Sequence, residues 1–106
     1  MEINEYQKLA MTTLNKEIPF NQILINACLG LSGEVGEVND LLKKHLFQGH
    51  ELDKEKVIDE LGDVAWYIAE AATALGVDLE TIFTHNIEKL KKRYPQGFDR
   101  SHSINR

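Results

Sequence analysis

Two pairs of acidic residues share the same spacing in this sequence. Glu34 and Glu37 are three residues apart, and Glu60 and Asp63 repeat that spacing further along the chain. Residues at positions i and i+3 of a helix lie on one face, so each pair can direct two carboxylates to the same place. Four converging carboxylates would repel one another, and hard cations such as Mg²⁺ prefer oxygen ligands. Two such helices packed antiparallel would therefore form a divalent-metal site from all four acids.

Burial decides between such a site and an ordinary solvated surface. Acidic pairs at this spacing are common on exposed helices and usually bind nothing. Glu34, however, falls within an apolar stripe between Leu31 and Val38, so we expect its side chain to be buried or nearly so. Burying a carboxylate is costly unless a proton or a cation neutralises it. The pattern favours metal binding, and a helical dimerisation or adaptor module with a solvated acidic face is the non-enzymatic alternative.

Helices are the elements that must hold these acids in position. Apolar residues recur at spacings of three and four along most of the chain, and no alternating run of β-branched residues predicts a strand. The sequence predicts four helices, at about residues 3–15, 21–46, 54–75 and 79–93. Asp53 and Asp78 are suitable N-caps, and Gly76 is a natural end for the third helix. We therefore predict an all-α bundle of four helices with a flexible tail over 98–106.

The two central helices contain signs of close packing. Gly30, Gly33 and Gly36 lie inside the second helix, where glycine weakens helical structure, so we expect a bend or a tight helix contact there. One face of the third helix combines the acids with an aromatic and small residues: Glu60, Asp63, Tyr67, Ala71 and Ala74. An apolar stripe shares the same helix: Val57, Leu61, Ala65, Ile68 and Leu75. The first of these faces is typical of one wall of a cleft.

Length and charge limit the classes of function. A chain of 106 residues fits a single domain over 1–106. Its formal net charge of −5 argues against binding a nucleic-acid polymer, which needs a basic surface. No apolar run approaches the ~20 residues that span a bilayer, and the first residues have no apolar core like that of a signal peptide. We therefore expect a cytoplasmic protein that does not act on membranes.

The sequence contains more large apolar side chains than the core of so small a domain can cover. Small domains bury a lower fraction of their surface than large ones. The residues that we expect to remain uncovered in a monomer are Phe20, Leu24, Leu46, Trp66 and Phe83. The sequence therefore predicts a homo-oligomer, which would complete the helical bundle.

Three segments together resemble the MazG-like nucleotide pyrophosphohydrolases. They are Gly33-Glu34-Val35-Gly36-Glu37-Val38, then Asp59-Glu60-Leu61-Gly62-Asp63-Val64, then the run from Asn86 to Pro95. Those enzymes carry an E-x-x-E pair followed by an E-x-x-D pair, and here 22 residues, positions 38–59, separate the pairs. The resemblance covers roughly residues 29–98. Full-length MazG proteins have two such domains, whereas this chain has one.

The resemblance implies an all-α fold, a homodimer or homotetramer, and a nucleotide substrate. It implies hydrolysis of a nucleoside triphosphate, NTP or dNTP, between the α and β phosphates, with Mg²⁺ or alternatively Mn²⁺ as cofactor. Phosphoribosyl-ATP or a nucleotide sugar is the alternative substrate. By analogy Glu37 or Glu34 is the general base, although all four acids could equally be ligands. The residues expected to contact phosphate or sugar are Tyr67, Asn86, Lys89, Arg93 and Lys43.

Overall fold

A computed structural model describes all 106 residues as helices and connecting turns. The helices are α1 (Ile3–Met11), α2 (Ile23–Phe47), α3 (Lys54–Ala74), α4 (Leu79–Arg93) and α5 (Arg100–Ile104), with one 3-10 turn at Phe20–Gln22 before α2. No strand is present, so the predicted all-α class is confirmed. No helix combines the length and the apolar character needed to cross a membrane.

The predicted helix boundaries are confirmed for α4 and are close for α2 and α3, but α1 is shorter than expected. It ends at Met11 rather than near residue 15. The hydroxyl groups of Thr12 and Thr13 donate to the carbonyl oxygens of Leu9 and Ala10, at 2.6 and 2.7 Å. Threonine side chains that bond nearby backbone in this way compete with the helical pattern, so the helix stops there.

The predicted caps and turns position α3 and α4. The carboxylate of Asp53 accepts from the backbone N–H groups of Glu55 and Lys56, and that of Asp78 accepts from the N–H of Thr81. Gly76 follows α3 with φ of +72°, which glycine adopts without steric cost. These local interactions hold the α3–α4 connection to a short turn.

The α2 and α3 helices run antiparallel along a shared seam. Near the start of α2, Asn26 donates to Glu70 of α3. One turn further, a Cβ at Gly30 would overlap the ring of Tyr67, so only glycine allows this approach. One more turn along, Glu34 lies beside Asp63. The predicted tight contact is therefore confirmed at Gly30, whereas the other two interior glycines of α2 face open space.

The face of α3 that packs on α2 is the acidic and aromatic one. Tyr67 and Glu70 on that face are partly and fully buried, whereas Leu61 and Leu75 of the apolar stripe are 51% and 58% exposed. The hydrophobic effect favours covering apolar surface, so this arrangement leaves an apolar face of α3 without a complete intrachain partner.

The α1 helix joins the end of α3 to the start of α4. The amide of Gln7 donates to Thr73 and to the carbonyl of Val77, and its oxygen accepts from the N–H of Leu79. A small core lies beneath these contacts: Ala69, Ala72 and Leu79. This packing anchors the first turn of α4 against α1 and the end of α3.

The sequence did not predict α5. Asp99 accepts from the N–H groups of Ser101 and His102, which caps a five-residue helix where we expected a flexible tail. Gly97, with φ of +91°, turns the chain before this cap. A helix this short shows too little periodicity to be recognised from sequence alone.

The single chain is an open structure. Only six of its 106 residues are buried, and its radius of gyration is 16.8 Å. A compact domain of this length would have a radius of gyration of about 13 Å. Large side chains remain exposed, including Phe20 at 71% and Leu46 at 66%.

Candidate metal centre

Three of the four predicted metal ligands come together. Carboxylate oxygens of Glu34, Glu60 and Asp63 all lie within 4.8 Å of one another. Glu34 comes from α2, while Glu60 and Asp63 are one turn apart on α3. Antiparallel packing of the two helices therefore produces the convergence that the spacing predicted. We call these three residues the acid cluster.

The surroundings of the acid cluster raise the pKa of Glu60. The largest cause is hydrogen bonding with the carboxyl group of Glu34, followed by desolvation and by the charges of Glu34, Asp63 and Asp59. Like charges disfavour ionisation, whereas a nearby cation would favour it. Three oxygen donors at this separation fit a hard divalent cation, which takes carboxylate ligands and fills its remaining positions with water or phosphate.

Glu37 lies outside the acid cluster, although it is one turn from Glu34 on α2. Its side chain is exposed, and its charge acts on Lys44 and raises the pKa of that lysine, after the larger effect of Asp40. Glu34 is partly buried, whereas we expected it to be buried or nearly so. Antiparallel packing leaves one side of this seam open, so both acids of α2 can meet solvent.

A cavity opens beside the acid cluster. Its volume is about 360 Å³, and it is lined by Thr13, Glu34, Asp63, Trp66 and Tyr67. Tyr67 is one turn after Asp63, and its ring packs against Gly30 of α2. The predicted site therefore combines two carboxylates with two aromatic side chains around one opening. The rings offer apolar surface to a ligand, and a cation bound by the carboxylates would be needed before an anionic group could approach.

Residues 24–98 match the family of MazG nucleotide pyrophosphohydrolase domains. The chain belongs to this family. It is also 38% identical over 87 residues to the Gene 37 protein of Mycobacterium phage L5, an alignment that covers 74% of this chain and 72% of that relative. No solved structure matches the chain. The matched MazG segment contains the whole acid cluster, and α1 precedes it.

Two residues near the acid cluster lie outside the matched segment, and the sequence did not predict them as part of the site. Thr13 lines the cavity, and its hydroxyl accepts from the indole N–H of Trp66 at 2.9 Å, which also donates to the carbonyl of Ala10 at 3.0 Å. Tyr6 of α1 has a raised pKa because of burial and, to a smaller degree, the charge of Asp63. Contacts that span more than fifty residues leave no local pattern that could have indicated them.

The ring of Trp66 has a defined place at the MazG site. It meets Tyr67 edge to face, with ring centroids 5.0 Å apart and an interplanar angle of 84°. Aromatic pairs favour this geometry, because the positive edge of one ring meets the negative face of the other. Trp66 is partly buried and fixed by its two hydrogen bonds, so it connects the end of α1 to the cavity wall.

The remaining predicted substrate contacts do not line this cavity. Asn86 and Lys89 are exposed on α4, and Arg93 is partly buried at its end. Lys43 is exposed on α2 and forms an ion pair with Asp40 at 3.3 Å. Within one chain, the basic residues of α4 therefore do not line the cavity beside the acid cluster.

Proposed function

We propose that this chain hydrolyses nucleoside triphosphates, NTP or dNTP, between the α and β phosphates, and that the reaction depends on Mg²⁺. The products are a nucleoside monophosphate and pyrophosphate. Membership of the MazG family supports nucleotide pyrophosphohydrolysis in general. The observation that supports metal dependence is the acid cluster, where three carboxylates from two helices converge beside an open cavity.

The three acids of the cluster are the proposed ligands. Glu34, Glu60 and Asp63 would hold Mg²⁺, with Mn²⁺ as a substitute. When bound, the cation supplies charge neutralisation for the phosphate oxygens and lowers the pKa of a coordinated water. Tyr67, whose ring lies on the cavity wall, would contact the sugar or the phosphates of the nucleotide.

Glu37 is the proposed general base. It is one turn from Glu34 and is not among the three converging carboxylates, so its oxygens can accept a proton from water. That water oxygen would attack a phosphorus atom beside the α–β bridging oxygen, and the bond to the bridging oxygen would break. A base must reach the water within hydrogen-bonding distance in the bound state, which the exposed side chain of Glu37 allows.

The chain is proposed to act as a homodimer or homotetramer. Its radius of gyration exceeds that of a compact domain, and exposed apolar side chains occur on α2, α3 and α4, including Leu61 and Phe83. A second copy would cover this apolar surface. Light scattering coupled to gel filtration is expected to give a mass of at least twice 12.1 kDa at micromolar concentration, and a stable monomer would contradict this part of the proposal.

Pyrophosphate release tests the activity. A panel of canonical and damaged NTPs and dNTPs is incubated with the protein and Mg²⁺, and the products are separated to distinguish pyrophosphate from single phosphate. We expect monophosphate and pyrophosphate in equal amounts, and no product when EDTA replaces Mg²⁺. Phosphoribosyl-ATP and a nucleotide sugar belong in the panel, because turnover of one of them alone would replace the proposed substrate class.

Matched variants test the roles of the acids. Asp63→Asn and Glu60→Gln each remove a charge from the acid cluster, and Asp59→Asn removes one from an exposed neighbour outside it. Changes to groups that only support metal ligands cost 10–100-fold, so loss of a ligand should lower kcat/KM by more than about 100-fold. The Asp59 variant should stay within about threefold of the parent protein. Equal effects of all three variants would remove the cluster from the mechanism.

A further inference from the structure

The ring of Tyr67, on the wall of the cavity beside the acid cluster, is held from two sides. On one side it lies so close to Gly30 of α2 that a Cβ there would overlap three of its carbon atoms. On the other side Trp66 meets the same ring edge to face, with centroids 5.0 Å apart. The place of Tyr67 therefore depends on where α2 and Trp66 hold it.

Trp66 is in turn held by the end of α1. Its indole N–H donates to two acceptors there, the carbonyl oxygen of Ala10 at 3.0 Å and the hydroxyl oxygen of Thr13 at 2.9 Å. An indole has only this one polar group, so these hydrogen bonds orient the partly buried ring. Both acceptors precede residues 24–98, the segment that matches the MazG family.

The hydroxyl hydrogen of Thr13 is engaged within the chain. It is donated to the carbonyl oxygen of Ala10, at 2.7 Å, while the hydroxyl oxygen accepts from Trp66. Thr13 lines the cavity, but its hydrogen bonds hold other parts of the wall. Tyr67 lines the same cavity beside two carboxylates of the acid cluster, and a phenol can donate to a phosphate or sugar oxygen.

We propose that Thr13 is a positioning residue of this site. Through Trp66 it fixes the ring of Tyr67, and so it places the hydroxyl of Tyr67 where a bound nucleotide meets it. The nucleotide as ligand rests on the proposed function. Order that exists before binding lowers the entropic cost of binding, so Thr13 acts on affinity and KM and leaves kcat nearly unchanged.

Two threonines that follow one another give a matched pair of variants. Thr13→Val keeps the shape of the side chain and removes its hydroxyl, and Thr13→Ser keeps the hydroxyl. Thr12→Val is the control, because the Thr12 hydroxyl donates to the carbonyl of Leu9 at 2.6 Å in the same way but is not among the acceptors of Trp66. Circular dichroism shows whether each variant retains its helices.

Affinity is measured by isothermal titration with Mg²⁺ and an uncleavable nucleotide. The probes are adenosine and cytidine triphosphates in which a CH₂ group replaces the α–β bridging oxygen. Trp66 is the only tryptophan of the chain, so quenching of its fluorescence by acrylamide reports how firmly the indole is held. KM and kcat are measured in parallel with the cleavable nucleotides.

Loss of one hydrogen bond changes an equilibrium constant by roughly two- to tenfold. Because Ala10 keeps its bond to Trp66, Thr13→Val should weaken probe binding and raise KM by about fivefold, with kcat within about twofold. Acrylamide should quench Trp66 more strongly in the same variant. Thr12→Val and Thr13→Ser should stay within about twofold of the parent protein on every measure.

A double-variant cycle tests whether Thr13 acts through Tyr67. Tyr67→Phe removes the hydroxyl that is positioned, and on that background Thr13→Val should weaken probe binding by less than about twofold. Additive losses would show that Thr13 contacts the nucleotide itself, and they would overturn the positioning role. Trp66→Phe breaks the same hydrogen bond from its other end and should raise KM by about fivefold or more, which tests the role even if Thr13→Val loses helical structure.

The results distinguish this inference from the proposed function. Probe binding that depends on Thr13, without hydrolysis of any nucleotide, would leave the inference standing and refute the function. Hydrolysis in which Thr13→Val and Thr12→Val have equal KM values and equal probe affinities would do the reverse. Failure of the parent protein to bind either probe would overturn both.

Discussion

The hydrogen bonds between Asn26 and Glu70 hold the antiparallel seam two turns away from the acid cluster. The side-chain amide of Asn26 donates to both carboxyl oxygens of Glu70, at 3.1 and 2.9 Å. Glu70 is fully buried. Because the seam continues from this pair through Gly30 to Glu34, its register determines whether Glu34 meets Asp63.

Asn26→Ala should destabilise the chain by about 2 kcal/mol. A buried polar group that loses its partner costs roughly 1–3 kcal/mol. Asn26 lines an open cavity of about 530 Å³, so water can approach Glu70 in the variant and keep the cost below the upper end of that range. The double variant Asn26→Leu/Glu70→Met removes both polar groups together. It should recover most of the lost free energy, because apolar replacements of similar shape leave nothing unpaired.

Urea unfolding followed by circular dichroism measures these differences. Two protein concentrations are needed, because the stability of an oligomer depends on concentration. Asn21→Ala is the control, since Asn21 is exposed in the turn before α2, and it should stay within about 0.5 kcal/mol of the parent protein. A cost below about 0.5 kcal/mol for Asn26→Ala, or a double variant no more stable than Asn26→Ala, would refute the reasoning.

Three further predictions follow from single contacts. Gly30→Ala should cost about 1–3 kcal/mol in urea unfolding, because its methyl group overlaps the Tyr67 ring, whereas Gly33→Ala should be neutral or stabilising by up to about 1 kcal/mol. Asp53→Ala should cost about 1 kcal/mol through loss of the α3 N-cap, and Asp53→Asn much less. The raised pKa of Glu60 stabilises the metal-free fold at low pH, and this contribution is lost as pH rises through that pKa. Mg²⁺ should therefore raise the unfolding midpoint more at about pH 7 than at about pH 4, and Glu60→Gln should reduce that difference.

Much of the local structure could be predicted because it depends on neighbours in the chain. The i, i+3 spacing places Glu60 and Asp63 on one face of α3 whatever packs against it. Asp53 and Asp78 cap helices through hydrogen bonds that span two or three residues. These interactions are complete within a single turn, so the order of residues alone determines them.

Only the tertiary structure decided which side chains meet across elements. It placed Glu37 outside the acid cluster, left Glu34 partly exposed, and paired Asn26 with a carboxyl group 44 residues away. It also formed α5 after a turn in which the rings of Tyr94 and Phe98 pack at a tilted angle, and neither this contact nor the cap of α5 has a periodic signature. The physical reason is that the angle and register between helices depend on close packing at points such as Gly30. The distance between α2 and α3 at that point determines which side chains meet further along the two helices.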